Sequence, residues 1–421
     1  DGEQTSGVSF VPHEKLSIAR CLLDDLRVNR IEVASARVSD GEAESVKAIC
    51  DWAARAGHID KVEILGFVDG TTSVDWIRRC GGRVMNLLTK GSLKHCTEQL
   101  KRTPEEHIAD IRRAVAYATE QGVAVNVYLE DWSNGMKNSP EYVFQLMDGL
   151  KDCGIRRFML PDTLGILNPM QVQSFMGVMV QRYPDTHFDF HAHNDYDLAV
   201  SNVYAAVLAG AKGLHTTING LGERAGNAPL SSVLAVLHDQ LCLSTNIKEH
   251  EINSVSKIVE TYSGIRIPAN KPVVGNHVFT QVAGVHADGD MKNNLYCNDL
   301  IPERFGRTRE YALGKTSGKA NIKKNLIILS NGKNVSPEEL EEKLMTAIPS
   351  VKEVLVYEED RRIYAEFFLN TEDYPDAKET INEAVHEFNK KMPLFKRIAK
   401  VRVRDDEFPK TTTLKIVRKY N

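Results

Sequence analysis

From residue 1 to about 242, short apolar runs alternate with longer amphipathic stretches. The runs Arg30–Ala34, Lys61–Phe67, Val84–Leu88, Val123–Leu129, Arg156–Pro161, His187–His193 and Gly213–Asn219 are rich in Val, Ile and Leu and read as strands. Between them, Pro12–Leu26, Pro104–Gln121, Pro169–Tyr183 and Leu198–Gly210 read as helices. Strand and helix in alternation predict an α/β fold, a parallel sheet with crossover helices. Seven strands are one short of a closed TIM (β/α)8 barrel. The first is expected to precede residue 1, because Asp1-Gly2-Glu3-Gln4 reads as the loop that would follow it. From 243 to 320 the pattern becomes a helical and loop-rich extension, irregular around Pro268, Pro272 and Gly275. A further change near Asn321 opens a small α+β unit over 322–421. Its strands are expected at Ile322–Leu329, Glu353–Tyr357 and Arg362–Phe368, with a helix from about Asp376 to Lys391. Ser336-Pro337-Glu338-Glu339 is a helix start, with a Ser cap and Pro in the first turn.

Composition narrows the class. With 42% hydrophobic and 26% charged residues, the chain can bury a sizeable core. A net charge of -4 gives no reason to expect a nucleic-acid partner, and no long apolar run suggests a membrane. Seven cysteines without a CxxC read as reduced thiols in a cytoplasmic protein.

Candidate chemistry gathers where the apolar runs end. His191 and His193, in Phe188-Asp189-Phe190-His191-Ala192-His193-Asn194-Asp195, are two apart and so share one face of a strand. Neutral imidazoles suit Zn, Mn or Co. The pair alone is equally well read as two strand histidines in ordinary hydrogen bonds. Glu130, Asp162 with Thr163, and Asn219 close three other runs on the same rim, where barrel active sites lie. For Asp162, capping the following helix competes with direct chemistry.

Asp1-Gly2-Glu3-Gln4, the His-x-His-Asn-Asp strand and Gly222-Glu223-Arg224-Ala225-Gly226-Asn227 together resemble the metal-dependent Claisen-condensing family of isopropylmalate, homocitrate and citramalate synthases, over about residues 1–320. The resemblance implies a divalent metal (Zn, Mn, Mg or Co) held by Asp1, His191, His193 and Asn227. It implies acetyl-CoA as co-substrate and a 2-oxo acid as acceptor, with Thr163 on the acceptor's carboxylate. It also implies Glu130 as the base that deprotonates the acetyl methyl, helped by His286. His286, Asp288, Asn294 and Tyr296 would be inserted by a neighbouring subunit, making a homodimer the working unit. Leu65, Leu88 and Tyr128 resemble the pyruvate pocket of citramalate synthases, so pyruvate is the expected acceptor, on a route to isoleucine. 2-Isopropylmalate synthesis from 2-oxoisovalerate is the alternative, and a lyase or aldolase on the same fold is a further one. The Arg that precedes this Asp in the family has no counterpart here.

Residues 322–421 resemble instead the small carboxyl-terminal domain of acyl-CoA synthetases, through Lys323–Glu339 and Phe408–Arg418. The resemblance places Lys415 at a contact with an acyl-adenylate, although Leu414 stands where many members carry Gly. A surface role for Lys415 is favoured, because the large nucleotide-binding domain is absent from the chain. A fragment of an acyl-CoA synthetase, or a partner for an adenylating domain, is the remote functional alternative.

Overall fold

A computed structural model of the chain describes residues 2–315, 327–328, 334–360, 362–410 and 416. It forms two compact units, Asp1–Gly275 and Asn276–Asn421. The first is a parallel α/β half-barrel of the TIM type. Its strands β1 (Ile31–Ser35), β2 (Val62–Phe67), β3 (Val84–Lys90), β4 (Ala124–Glu130), β5 (Phe158–Asp162), β6 (Phe188–Ala192) and β7 (Gly213–His215) neighbour one another in chain order. All six pairings are parallel. Among the described residues no ladder joins β7 to β1.

The helices between them follow from capping as much as from periodicity. Helix Pro104–Glu120 starts at Thr103, whose hydroxyl accepts from the Glu106 N–H while Glu106 reaches back to the Thr103 N–H. Asn168 and Gln171 cap helix Pro169–Arg182 in the same reciprocal way. These helices turn one stripe inward, including Ile111, Val115, Val172 and Met176, onto strand residues such as Val125, Val127, Leu160 and Phe190.

Two strands are shorter than their sequence patterns. β6 ends at Ala192 because His193 bridges to Asn227 in the returning loop. β7 ends at His215, and Ile218–Gly220 is a tight turn in which Asn219 takes a φ of 59°. The helix Ile252–Ser263, expected in the extension, packs with the barrel. The Tyr262 hydroxyl meets Ser17 Oγ at 3.4 Å, and the Asn219 side-chain amide donates to the Ser256 carbonyl at 3.0 Å. The boundary between units therefore falls at 275/276, inside the 243–320 extension.

The barrel interior is unusually polar. Glu63, Asn86, Asn126 and Asp189 are buried on inward-facing positions of β2, β3, β4 and β6. Each is paired. Asn126 donates to Asn86 at 2.8 Å, Asn86 donates to Glu32 at 2.6 Å and to Glu63 at 3.0 Å, and Arg157 pairs with Glu63. Arg30 reaches Asp189 at 2.6 Å. Gly213 makes this approach possible, since a Cβ there would lie 2.0 Å from Asp189 Oδ1 and 2.7 Å from Arg30 Nη2. Paired in this way, the charges avoid the cost of buried unpartnered groups.

The second unit has its own core. Strands Val351–Glu359 and Arg362–Leu369 pair antiparallel, and Lys400–Arg404 adds parallel to the second. Helices Pro337–Ala347 and Ala377–Lys390 contribute Leu340, Leu344, Ile381 and Val385 to a core with Val354, Val356, Ala365 and Phe367. Ser336 caps the first helix, accepting from the Glu339 N–H at 3.3 Å. The expected strand Ile322–Leu329 lies largely outside the described residues. Its described part, Ile327–Ile328, pairs antiparallel with Asn334–Val335. No helix among the described residues is long and apolar enough to cross a membrane.

Candidate active site

The strand register builds the site. On the inward face of β3 and β4, Asn86 lies opposite Asn126, Leu88 opposite Tyr128, and Lys90 opposite Glu130. Three rows thus rise from base to mouth: amides, then an apolar and an aromatic side chain, then an ion pair between Lys90 and Glu130. Leu65, on β2, is a pocket candidate beside Leu88 and Tyr128, and its backbone partner on β3 is Asn86. Across the barrel, His191 on β6 lies opposite His215 on β7. The Tyr128 and His191 rings meet edge to face at 6.5 Å, and those of His191 and His193 at 5.0 Å.

Both histidines are held neutral. Burial, and then the neighbouring His215, drive the His191 pKa down to about 3; burial and then His191 do the same to His193, also about 3. A neutral imidazole offers a nitrogen lone pair to a cation. The loop after β7 brings Asn227 beside His193, and its side-chain nitrogen donates to the Leu221 carbonyl at 3.0 Å, so a cation would take the amide oxygen. Gly222 permits this, since a Cβ there would lie 2.2 Å from Asn227 Nδ2. Two imidazoles and an amide fit a borderline divalent cation. No group of three or more His, Cys, Asp or Glu able to hold an ion occurs among the described residues, and Asp1 lies outside them.

Arg224 ties the loop down. It grips Asp195 through Nε at 2.7 Å and Nη2 at 3.0 Å, and donates to the Thr163 carbonyl at 2.8 Å. This charge-assisted grip holds the Asp195 carboxyl below its ordinary range. Near the amino terminus, the Thr5 hydroxyl accepts from the Gly222 N–H at 2.7 Å, and its one hydrogen faces the Gly2 carbonyl at 2.8 Å and the Gly222 carbonyl at 3.2 Å.

The remaining candidates divide. The Thr163 hydroxyl accepts from the Asp131 N–H at 2.9 Å, which leaves its hydrogen to donate elsewhere. Asp162 is fully buried and accepts from the N–H groups of Ile166 and Leu167, both at 3.0 Å, so it organises the loop ahead of the helix that Asn168 caps. Asn219 turns its amide away, to Ser256. His286, Asp288, Asn294 and Tyr296 belong to the second unit. There the His286 and Tyr296 rings stack at 4.4 Å, Asp288 pairs with Lys292 at 2.6 Å, and Asn294 takes a φ of 57°. Leu414 and Lys415, in the tail motif, lie outside the described residues.

Comparison with known proteins gives this geometry its context. Residues 1–259 match the family described as HMGL-like. The chain belongs to that family. Residues 324–420 match a second description, the AMP-binding enzyme C-terminal domain. The (R)-citramalate synthase of Methanocaldococcus jannaschii is 36% identical over 341 residues, covering 81% of this chain and 67% of that protein. A 2-isopropylmalate synthase of Sulfurisphaera tokodaii is 32% identical over 345 residues, 82% of this chain and 86% of its own. A homocitrate synthase of Sulfolobus acidocaldarius is 34% identical over 327 residues, 77% and 68%. A further relative, from Methanopyrus kandleri, is matched over 62% of its length. Among solved structures, the HMG-CoA lyase of Bacillus subtilis superposes with a TM-score of 0.55 at 22% identity, over 64% of this chain and 92% of that one, and it supports the barrel fold.

Several residues of the site were not among the sequence candidates: Lys90, Glu32, Asn86, Asp189, His215 and the Arg224–Asp195 clamp. For Lys90, Glu32, Asn86 and Asp189 the signal is polarity at alternate positions of apolar strands, whose meaning depends on cross-strand register; Asp195 and Arg224 sit in the His-x-His-Asn-Asp strand and the Gly222–Asn227 motif, but their pairing needs the fold.

Proposed function

We propose that this chain condenses acetyl-CoA with pyruvate, giving citramalate and free CoA, with a divalent cation held by His191, His193, Asn227 and Asp1. The observation that carries the reading is the neutral His191–His193 pair, its rings 5.0 Å apart, beside the pocket residue Tyr128. When bound, the cation would polarise the acceptor's keto group and offset charge on its oxygen. The chain's own residues do the rest. Glu130, at the mouth of the barrel, takes a proton from the acetyl methyl, a weak carbon acid that needs a base close by. The resulting enolate carbon bonds to the keto carbon, and water then cleaves the thioester to release CoA. Thr163 donates its hydroxyl hydrogen to the acceptor's carboxylate. Leu65, Leu88 and Tyr128 surround its methyl.

In this reading a second copy of the chain supplies His286, Asp288, Asn294 and Tyr296 to each barrel mouth, and the homodimer is the working unit. The domains are a catalytic barrel, a segment that completes the site, and the carboxyl-terminal unit. The alternative acceptor is 2-oxoisovalerate, because relatives named 2-isopropylmalate synthase align at comparable identity. An apolar pocket distinguishes acceptors by only about 1–3 kcal/mol per methylene. The test is an acceptor panel of pyruvate, 2-oxoisovalerate and 2-oxoglutarate with acetyl-CoA, the products identified by mass spectrometry. Citramalate as the dominant product is expected; 2-isopropylmalate as the dominant product would reassign the acceptor.

A further inference from the structure

The end of β3 holds the end of β4 residue by residue. Lys90, Gly91 and Ser92 run in order past Glu130 and Asp131. The Lys90 ammonium pairs with Glu130 Oε2. The Gly91 N–H donates to the Glu130 carbonyl at 2.6 Å. The Ser92 hydroxyl donates to Asp131 Oδ2 at 2.8 Å. Glu130 is thus gripped at its side chain and at its main chain by two neighbouring residues. The turn that follows it, where Asp131 takes a φ of 64°, is held by the third.

That strand end is itself fixed from outside the sheet. The Lys90 N–H donates to His107 Nε2 at 3.2 Å, on the helix Pro104–Glu120. The Lys90 carbonyl accepts from the Tyr142 hydroxyl at 2.9 Å, on the helix Pro140–Leu150. Close packing leaves no slack: a Cβ at Gly91 would lie 2.4 Å from the Leu129 carbonyl oxygen, and one at Gly135 would lie 2.1 Å from the Gly91 carbonyl oxygen. Lys90 is only 8% exposed, so its ammonium has little room to leave Glu130 for water. A lysine this buried needs a partner, and the partner here is the residue that takes the proton from the acetyl methyl in the condensation reading. The pair engages Oε2, and Oε1 is the oxygen left for that proton.

We propose that Lys90 is a positioning residue for proton abstraction: held at its main chain by His107 and Tyr142, it fixes the Glu130 carboxylate through one oxygen and presents the other to the acetyl methyl. The proposal rests on the condensation reading and adds what aims its base. In the step, the methyl proton passes to Glu130 Oε1 and the C–H electron pair becomes the enolate, while Lys90 keeps its own protons. An unrestrained glutamate samples several rotamers, and a base acts only within hydrogen-bond reach of the proton it takes. Loss of the restraint therefore appears in kcat. The KM for pyruvate is spared, because its contacts lie with Thr163, Leu65, Leu88 and Tyr128.

The test is a double-mutant cycle on the full chain with acetyl-CoA, pyruvate and Mn. Lys90→Met keeps a side chain of similar length without its charge, and kcat should fall by about 10- to 100-fold, the scale of a misplaced catalytic group. The KM for pyruvate should stay within about twofold of the parent. Glu130→Gln removes the base but leaves Lys90 a carbonyl oxygen to bond, and there Lys90→Met should cost no more than about twofold. Lys90→Arg keeps a cation that can donate to Oε2 and should regain most of the lost kcat. Urea unfolding checks that each variant is folded, and Lys90→Gln replaces Lys90→Met in the cycle if the latter is not. Parental kcat in Lys90→Met would overturn the proposal. So would an equal fall in both backgrounds, or a folded Lys90→Arg no more active than Lys90→Met, since either marks a merely structural role. Parental activity in Glu130→Gln, or no turnover in the parent itself, would instead mark failure of the condensation reading and would withdraw the positioning claim with it.

Discussion

Single residues in this barrel have two separable jobs, and pH distinguishes them. His107, on helix Pro104–Glu120, is buried and accepts from the Lys90 N–H at 3.2 Å. Burial pushes its pKa down to about 4 from 6.5. The folded state therefore binds fewer protons than the unfolded chain below pH 6.5, and its stabilisation, fully present above that value, is lost as pH falls toward 4. The full effect is on the order of 3 kcal/mol. His107→Gln keeps an acceptor for Lys90 without a titrating ring, so urea unfolding from pH 7 to 4 should show a shallower loss of stability than the parent. Equal slopes would remove His107 from the acid response. His191 and His193 were legible in the sequence, because two histidines spaced for one strand face stand out. His215 and Asp189 were not. Neither carries a spacing signal of its own, and the pairing of β6 with β7 and the contact of His215 with Asp189 bring them together.

At the scale of elements, the loop Gly220–Asn227 sets the geometry of the candidate cation site. Its position depends on Arg224 gripping Asp195 and on Thr5 holding Gly222. Gly222→Ala would drive a Cβ to 2.2 Å from Asn227 Nδ2, so the loop must move. Binding of Mn, measured by calorimetry, should weaken by about tenfold or more, as when the supports of a metal ligand are disturbed. Unchanged affinity would exclude Asn227 as a ligand. Thr5→Val loses the bond accepted from Gly222 and the one donated at the amino terminus, and should cost about 1–2 kcal/mol of barrel stability in denaturant unfolding. The strands were legible because seven apolar runs recur between amphipathic stretches, and the cross-strand pairings follow the chain order that pattern implies. Strand ends were less so. Asn219 reads as a polar strand terminus, yet a φ of 59° turns it toward Ser256, and tertiary contact decides that conformation.

At the scale of the whole chain, two separate cores serve two separate units. Phe367 is fully buried in the second, among Val354, Val356 and Ile381. Phe367→Ala should cost about 3–5 kcal/mol there, seen as lost hydrogen-exchange protection in Val351–Glu359 and Arg362–Leu369. Protection kept at parental levels would show that this core does not hold the sheet. The strands and helices of the tail were legible from the change of pattern near Asn321, whereas the boundary between the two units falls earlier, at 275/276. That the helix Ile252–Ser263 belongs with the barrel was not legible, since its packing against the helix Pro12–Arg20 and the turn Ile218–Gly220 shows it. The central claim concerns the first unit, and one measurement addresses it most directly: release of free thiol from acetyl-CoA in the presence of pyruvate and Mn, for the full chain and for His191→Ala. The account predicts pyruvate-dependent release that is suppressed by a chelator, restored by added metal, and reduced at least about a thousandfold in His191→Ala. Release that persists in His191→Ala, or in chelator, would contradict it.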